Sequence, residues 1–362
     1  MKTDLDLYTD YLISSLGQTS ATGLSSMLDN AVSHDAVTRF LNQPDHDSKA
    51  LWRQVKRDVR RMESDVGLLI VDDSISEKPY TDPNGLMCPH YDHCKNRYVN
   101  GINFVSLLYR SNGVQLPVGF ELVFKTLQCI VKTRKECWRS ERTKNDMFRD
   151  LLRAAHKNAV QFAFVLCDSW FTNSENINYV LSIKKNLLGA VKSNLEVALS
   201  KLDRANGKFV KISTLSLNPG DLREVYIRSV ERPILICRDI FVNKDGSTGE
   251  LHLLCTDLTK SYQFILTTYQ ERWGIEPGRR ADYHKSLKNN ASLQRSPTKT
   301  VQTQRTHFFA SLCAYVKLER LKICEKLNHF ALKGKIYIKA IQAAFKELES
   351  LKLKHTGNIS FG

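Results

Sequence analysis

Two apolar runs in the chain each end on an acid. Val66–Asp72 reads Val-Gly-Leu-Leu-Ile-Val-Asp, and Phe162–Asp168 reads Phe-Ala-Phe-Val-Leu-Cys-Asp. A continuous apolar run of this length, bounded by polar residues, is typical of a buried strand. We therefore expect two buried strands, each of which breaks at a carboxylate.

The first run is followed by a second acid, Asp73. Neighbouring residues on a strand point to opposite faces of the sheet, so only one of the two acids should face a common site. We prefer Asp72, with Asp73 as the alternative.

The segment between the acids predicts a hairpin and a helix. Tyr98–Tyr109 and Val114–Phe124 read as antiparallel strands joined by a turn at Ser111–Gly113. A capped amphipathic helix should begin at Thr143. After Asp168 we expect a helix to about Lys185 and a short strand. Strand-strand-strand-helix-strand-helix-strand is the order of a ribonuclease-H-like fold.

The flanking regions have a different character. Residues 1–62 show helical apolar stripes, and their last helix has a strongly basic polar face, which suits either a DNA-end-binding domain or a solvated surface. Short alternating or apolar runs separated by turns, among them 234–237 and 240–242, predict a β-rich module. We expect an α/β chain, α+β overall, in four parts: a helical domain (1–62), the first part of the core (63–192), the β-rich insertion (193–266) and a final helical part (267–362).

A third acid stands in the segment Thr267–Glu276. Tyr269, Arg272 and Glu276 are spaced i, i+3 and i+7, so a helix would place them on one face. By itself such a spacing is common in surface ion pairs. Together with the two strand-end acids, it predicts three carboxylates that converge on divalent metal.

Charge adds a partner to this picture. The 362 residues carry a net charge of +15, which favours a polyanion, because each phosphate contact releases counterions. No apolar run has transmembrane length, and the N-terminal residues show no signal-peptide core, so we expect a cytoplasmic protein. Nine cysteines without a Cys-x-x-Cys pair favour reduced thiols.

Two further segments allow more than one interpretation. Seven Lys and Arg residues between Lys125 and Lys144 surround Trp138, which suits a nucleic-acid groove or a solvated loop. A zinc site is the tempting interpretation of Cys88, His90, His93 and Cys94. We do not favour zinc, since four ligands packed so tightly can hardly all reach one tetrahedral ion.

The residues resemble a DDE transposase of a bacterial insertion sequence, in the group with a β-strand insertion before the third acid. The signature of that group is Tyr, Arg, Glu and Lys, which Tyr269, Arg272 and Glu276 match in spacing; Trp273 follows the Arg as is usual there. Val71–Ser74 is similar to the first-acid motif and residues 166–171 to the second. The resemblance covers about residues 60 to 325.

The last step of the signature departs from the pattern. The signature places its Lys seven residues after the Glu, and that position holds Tyr283. Lys288 takes the expected place only if Pro277–Ala281 is a five-residue insertion. Proline disfavours helical geometry in the preceding residue, so Glu276 should end a helix. Asp282 is the alternative third acid.

The resemblance implies a metal-dependent DNA enzyme. Asp72, Asp168 and Glu276 would be catalytic and would hold two Mg²⁺ ions, which Mn²⁺ can replace; Tyr269, Arg272, Trp273 and Lys288 would contact DNA. The implied partners are terminal inverted repeats, target DNA and a second copy in a homodimer, with no membrane. Two alternatives remain: a nuclease without strand transfer, and a DNA-binding remnant whose third motif is broken.

Overall fold

The computed structural model describes residues 4–44, 46–92, 95–130, 136–242, 245–273 and 282–355. The chain forms two compact units. One unit combines Met1–Pro44 with Lys285–Gly362, and the other is Asp45–His284. The four-part division expected from the sequence remains a prediction.

The described residues contain eleven α-helices: α1 Leu5–Ser14, α2 Ala21–Met27, α3 His34–Leu41, α4 Ser48–Met62, α5 Lys144–Lys157, α6 Ser174–Ser182, α7 Lys201–Ala205, α8 Tyr262–Gln270, α9 Asp282–Asn289, α10 Val301–Glu325 and α11 His329–His355. They also contain thirteen strands: β1 Leu68–Glu77, β2 Met87–Asp92, β3 Arg97–Ser111, β4 Val114–Leu122, β5 Leu127–Ile130, β6 Glu136–Arg139, β7 Phe164–Cys167, β8 Asn186–Val191, β9 Glu196–Ala198, β10 Val210–Lys211, β11 Arg223–Ile227, β12 Ile234–Val242 and β13 Thr248–Cys255.

The unit of residues 1–44 and 285–362 is helical. Side chains of Asp4 and Ser33 cap α1 and α3 by accepting hydrogen bonds from backbone N–H groups of the first turns. Its central helix is α10, which is buried along most of its length. Tyr8 of α1 is fully buried and its hydroxyl lies 3.0 Å from Nδ1 of His307, so a polar contact links α1 to α10 inside the core.

The other unit is built around a mixed sheet of eleven strands. Its central part has the order β4-β3-β1-β7-β8, in which β1 is antiparallel to β3 and parallel to β7, and β7 is parallel to β8. The long strand β3 also pairs with β2. Strands β5 and β6 form a separate two-stranded sheet.

The strands of the β-rich segment extend the same sheet. Strand β13 pairs antiparallel with β8, and β12, β11, β9 and β10 follow in that order. Helices α4 and α5 pack against β4, α6 packs against β8, and α8 packs against β8 and β13. The expected fold class is therefore confirmed: a ribonuclease-H-like mixed sheet flanked by helices.

Local signals predicted several elements well. The β3–β4 hairpin turns at Asn112 and Gly113, whose φ angles of 49° and 74° match the left-handed turn expected there. Thr143 and Asp146 cap α5 reciprocally through side chain and backbone.

Other boundaries differ from expectation because of pairing between distant segments. Strand β1 does not break at Asp72; it continues to Glu77, since β3 pairs with it along its whole length. The runs 234–237 and 240–242 form the single strand β12, because β13 pairs across the charged residues between them. The helix expected through Glu276 ends at Gln270 and continues as a 3-10 turn over Glu271–Trp273.

Candidate active site

Asp72 and Asp168 lie at corresponding positions of neighbouring parallel strands. The ladder between β1 and β7 pairs Leu68 with Phe164 and ends with Ile70 and Leu166. Each acid stands two residues beyond that last pair. Side chains alternate between faces with a period of two, so both carboxylates follow buried residues of one face. The carboxyl end of the parallel pair therefore carries two acids.

Two basic side chains from the end of the unit hold Asp72. Nη1 of Arg272 lies 3.7 Å from Oδ2 of Asp72, and Nε2 of His284 lies 3.4 Å from the same oxygen. Burial by itself would raise the pKa of Asp72, but His284 and Arg272 outweigh it, and the pKa of Asp72 is lowered. Asp72 is therefore an ionised carboxylate at neutral pH.

Asp168 has the opposite electrostatic environment. Its Oδ1 accepts hydrogen bonds from the backbone N–H groups of Trp170 and Phe171, at 3.0 and 3.3 Å. Burial, followed by the negative charges of Asp72 and Asp73, raises its pKa despite the neighbouring Arg272. At Asp168, the positive charge of Arg272 therefore does not compensate for burial and the negative charges of Asp72 and Asp73.

Asp73 is engaged elsewhere. Its Oδ2 lies 2.5 Å from Nζ of Lys144, the first residue of α5. Alternation along β1 directs it away from the face of Asp72. Asp72 is thus the acid that meets Arg272 and His284, while the neighbouring acid pairs with Lys144.

Arg272 is fixed from two directions. Its guanidinium carbon lies 5.2 Å from the centre of the Tyr269 ring, a cation–π geometry, and its side chain is only 12% exposed. The residue before it, Glu271, forms an ion pair with Arg110 of β3. Tyr269 is itself buried, so in this structure its ring contacts Arg272 and not solvent.

His284 is a site residue that the sequence did not reveal. Its ring packs against Phe104 and Tyr283, with centroids 5.7 and 4.9 Å apart. The hydroxyl of Tyr283 lies 3.1 Å from Oγ of Ser106, which pairs with Asp72 across the β1–β3 ladder. In the sequence, the one feature that could have drawn attention to His284 is its position four residues before Lys288, the candidate signature lysine.

Several predicted site residues are not brought together in the described part of the chain. Glu276 and the whole segment 274–281 lie outside the described residues, as do the side chains of Trp273 and Asp282. Lys288 belongs to the unit of residues 1–44 and 285–362. These assignments remain predictions.

The two segments with open interpretations are only partly described. Sγ of Cys88 lies 3.3 Å from Nε2 of His90 on β2, whereas His93 and Cys94 lie outside the described residues. Burial, with Lys125 and Lys144 nearby, lowers the pKa of His90 to about 3. In the basic stretch, Trp138 is 54% exposed, and Arg142 pairs with Glu121 and Asp150.

The chemistry of the two acids suits a divalent cation. Carboxylate oxygens are the protein ligands that Mg²⁺ prefers, and a cation beside Asp168 would offset the burial and the repulsion that together raise its pKa. Two carboxylates alone do not make a full ligand set. Among the described residues, no group of three or more His, Cys, Asp or Glu side chains could hold a metal ion.

The core is ribonuclease-H-like, and an acid follows the parallel pairing on each of its two central strands. The family model described as "DDE superfamily endonuclease" matches residues 1–204, more than half of the chain. The chain therefore belongs to the DDE superfamily endonuclease family. The match includes Asp72 and Asp168 and ends before the third-acid segment.

The other comparisons add little. No curated protein matches this chain. A solved structure, the crystal structure of Kluyveromyces polysporus Argonaute with a guide RNA, aligns with 70% of this chain at 10% identity and a TM-score of 0.28. This chain spans about a third of that protein, 34% of its length. A likeness at this level carries no argument.

In the described helices, no stretch is long and apolar enough to cross a bilayer.

Proposed function

We propose that this chain is a DNA transposase, which cleaves DNA at the ends of an insertion sequence and joins the freed 3′ ends to target DNA. The observation that carries the proposal is the position of Asp72 and Asp168, each two residues beyond the parallel pairing of β1 with β7, inside a chain of the DDE superfamily endonuclease family. The Tyr-Arg-Glu spacing of the third-acid segment supports the finer assignment.

Two Mg²⁺ ions would be held by Asp72, Asp168 and Glu276. When bound, such ions activate the attacking oxygen and stabilise the leaving oxygen of a phosphodiester. The ionised state of Asp72, set by Arg272 and His284, makes it a ready ligand at neutral pH. The raised pKa of Asp168 means that this carboxylate gains most from a cation.

Arg272 would bind a DNA phosphate close to the carboxylates. A guanidinium can donate two parallel hydrogen bonds to phosphate oxygens, and its stack on Tyr269 limits its orientation beforehand. In this account Tyr269 positions Arg272, and the ion pair between Glu271 and Arg110 anchors the turn that carries it. Lys288 and Trp273 would add contacts to the DNA.

The partners follow from the same proposal. A net charge of +15 suits binding to terminal inverted repeats and to target DNA. Joining two ends to one target favours a homodimer on paired ends.

The test is cleavage and joining of DNA that contains the chromosomal flanks of this gene. The purified protein is incubated with Mn²⁺, and nicked, excised and joined products are separated. The variants are Asp168→Ala, a deletion of residues 277–281, and Glu175→Ala as a control that removes an exposed acid outside the site. We expect end-specific cleavage by the wild type and the control, none by Asp168→Ala, and joined product in the presence of target.

The outcomes separate the candidate functions. Cleavage without joined product would identify a nuclease without strand transfer. Cleavage by the deletion variant alone would show that the five residues displace Glu276. If the wild type and the deletion variant both bind the DNA ends but neither cleaves them, the protein is a DNA-binding remnant and the catalytic assignment is overturned.

A further inference from the structure

Helix α11 carries a row of apolar side chains that nothing in the described chain covers. Its first turn is packed, with His329 and Leu332 buried against the unit that contains α1 and α10. From residue 337 to residue 354, every side chain is exposed except Ser350, which is half-buried. The large apolar residues among them include Ile338, Ile341, Phe345 and Leu348, which are 57%, 45%, 60% and 48% exposed.

The spacing of these residues is that of a coiled-coil seam. Ile338, Ile341, Phe345 and Leu348 are separated by three, four and three residues, which corresponds to positions a, d, a and d of a heptad. Gly334 occupies the preceding d position and Lys352 the following a position. Tyr337, Ala344 and Leu351 occupy the g positions and widen the apolar face on one side. A long helix with such a seam gains stability chiefly when the seam is packed.

We propose that α11 pairs in antiparallel orientation with α11 of a second copy of this chain. The antiparallel register places Ile338 opposite Leu348 of the second copy, and Ile341 opposite Phe345. It also places Lys352 opposite Gly334, where a residue without a side chain leaves room for the lysine stem. In a parallel pair, Lys352 would meet the same lysine of the second copy, and the like charges would repel.

The e positions are complementary only in this orientation. They are Lys335, Gln342 and Glu349. In the antiparallel pair, Lys335 lies beside Glu349 of the second copy. Gln342 lies beside Gln342 of the second copy, at the two-fold axis. Each dimer thus contains two symmetric Lys–Glu pairs. Lys335 also forms an ion pair with exposed Glu325, with Nζ 3.0 Å from its carboxylate, a contact that leaves other ammonium protons available.

The test is the oligomeric state of the full chain without DNA. We expect sedimentation equilibrium to detect a monomer–dimer equilibrium for the wild type, and a monomer for Phe345→Glu at the same concentrations. Lys335→Glu and Glu349→Lys should each weaken dimerisation on the order of tenfold, because two attractive pairs become repulsive. Lys339→Glu, at an exposed position outside the seam, is the matched control and should dimerise as the wild type does.

Mixing the two charge variants gives the sharpest result. Lys335→Glu carries acids at positions 335 and 349, and Glu349→Lys carries bases at the same two positions, so an equimolar mixture should form a heterodimer with wild-type affinity. A wild-type chain that stays monomeric, or a dimer unaffected by Phe345→Glu, would overturn the proposal. Failure of the mixture to recover the dimer would exclude the antiparallel register. None of these readouts depends on DNA cleavage, so the proposed function and this interface fail separately.

Discussion

Arg272 contacts Asp72 with its Nη1 3.7 Å from the Oδ2 of the carboxylate, while its guanidinium stacks on Tyr269. The contact joins a residue of the third-acid segment to the first acid, from opposite ends of the unit's chain. Together with His284, Arg272 lowers the pKa of Asp72, and the same contact orients the arginine that we assign to phosphate binding.

Asp168→Asn should stabilise the metal-free protein by about 1 kcal/mol at pH 7. Asparagine retains an oxygen for the N–H groups of Trp170 and Phe171, but it removes a charge that burial disfavours and that Asp72 and Asp73 repel. The measurement is urea unfolding in the presence of EDTA, with Asp168→Ala as a comparison that loses the hydrogen-bond acceptor as well.

The pH dependence of that difference follows from the direction of the pKa shift. A raised pKa means that the folded state retains the proton of Asp168 longer than the unfolded state does. Wild-type stability should therefore fall, relative to Asp168→Asn, as pH rises from the ordinary value of 3.8 through the raised pKa, and the two proteins should be equally stable below 3.8. A gap that grows toward acid pH would contradict this account.

Asp72→Asn should have the opposite effect and lower stability by about 2 kcal/mol at pH 7. The substitution leaves Arg272, which is 12% exposed, without its carboxylate. Because the pKa of Asp72 is lowered, its contribution is present above 3.8 and is lost as pH falls through the lowered value. The same unfolding series measures it. If Asp72→Asn and Asp168→Asn change the free energy of unfolding in the same direction, Arg272 does not distinguish the two acids.

Tyr269→Leu should lower the rate constant of cleavage about tenfold, whereas Tyr269→Phe should cleave at a rate close to that of the wild type. Both variants keep a buried apolar residue, but only phenylalanine keeps a ring for Arg272. Single-turnover cleavage in Mn²⁺ measures the difference, with thermal unfolding as the check on folding. If both variants cleave equally well, the ring does not position the arginine.

The sequence predicted the features that depend on short stretches of chain. The apolar runs before Asp72 and Asp168 identified the central strands, and Asn112 and Gly113 identified the hairpin. The continuation of β1 beyond Asp72 depends on pairing with β3, which no local pattern contains. The charged residues Arg238 and Asp239 divided β12 into two predicted runs. In the structure, Arg238 donates a hydrogen bond to Glu250, and Asp239 accepts one from the hydroxyl of Tyr262.

The candidate site was predictable to a similar extent. Its acids and Arg272 belong to a recognisable motif, whereas His284 reaches Asp72 only through tertiary packing on Phe104 and Tyr283. Sequence spacing suggested a contact of Tyr269 with DNA, which stays a prediction. The structure adds that the ring of Tyr269 is buried and lies against Arg272.

If Asp168 contacts a catalytic metal ion, replacing its carboxylate with a thiol should change which metal supports cleavage. We would measure the cleavage rate of Asp168→Cys and of the wild type at pH 8, in Mg²⁺ and in Mn²⁺. A thiolate is a poor ligand for Mg²⁺ and a better one for Mn²⁺. We expect the variant to be at least about a hundredfold slower than the wild type in Mg²⁺, with much of the loss recovered in Mn²⁺. An equal loss in both metals by a folded variant, or no loss in Mg²⁺, would contradict a contact between Asp168 and the metal ion.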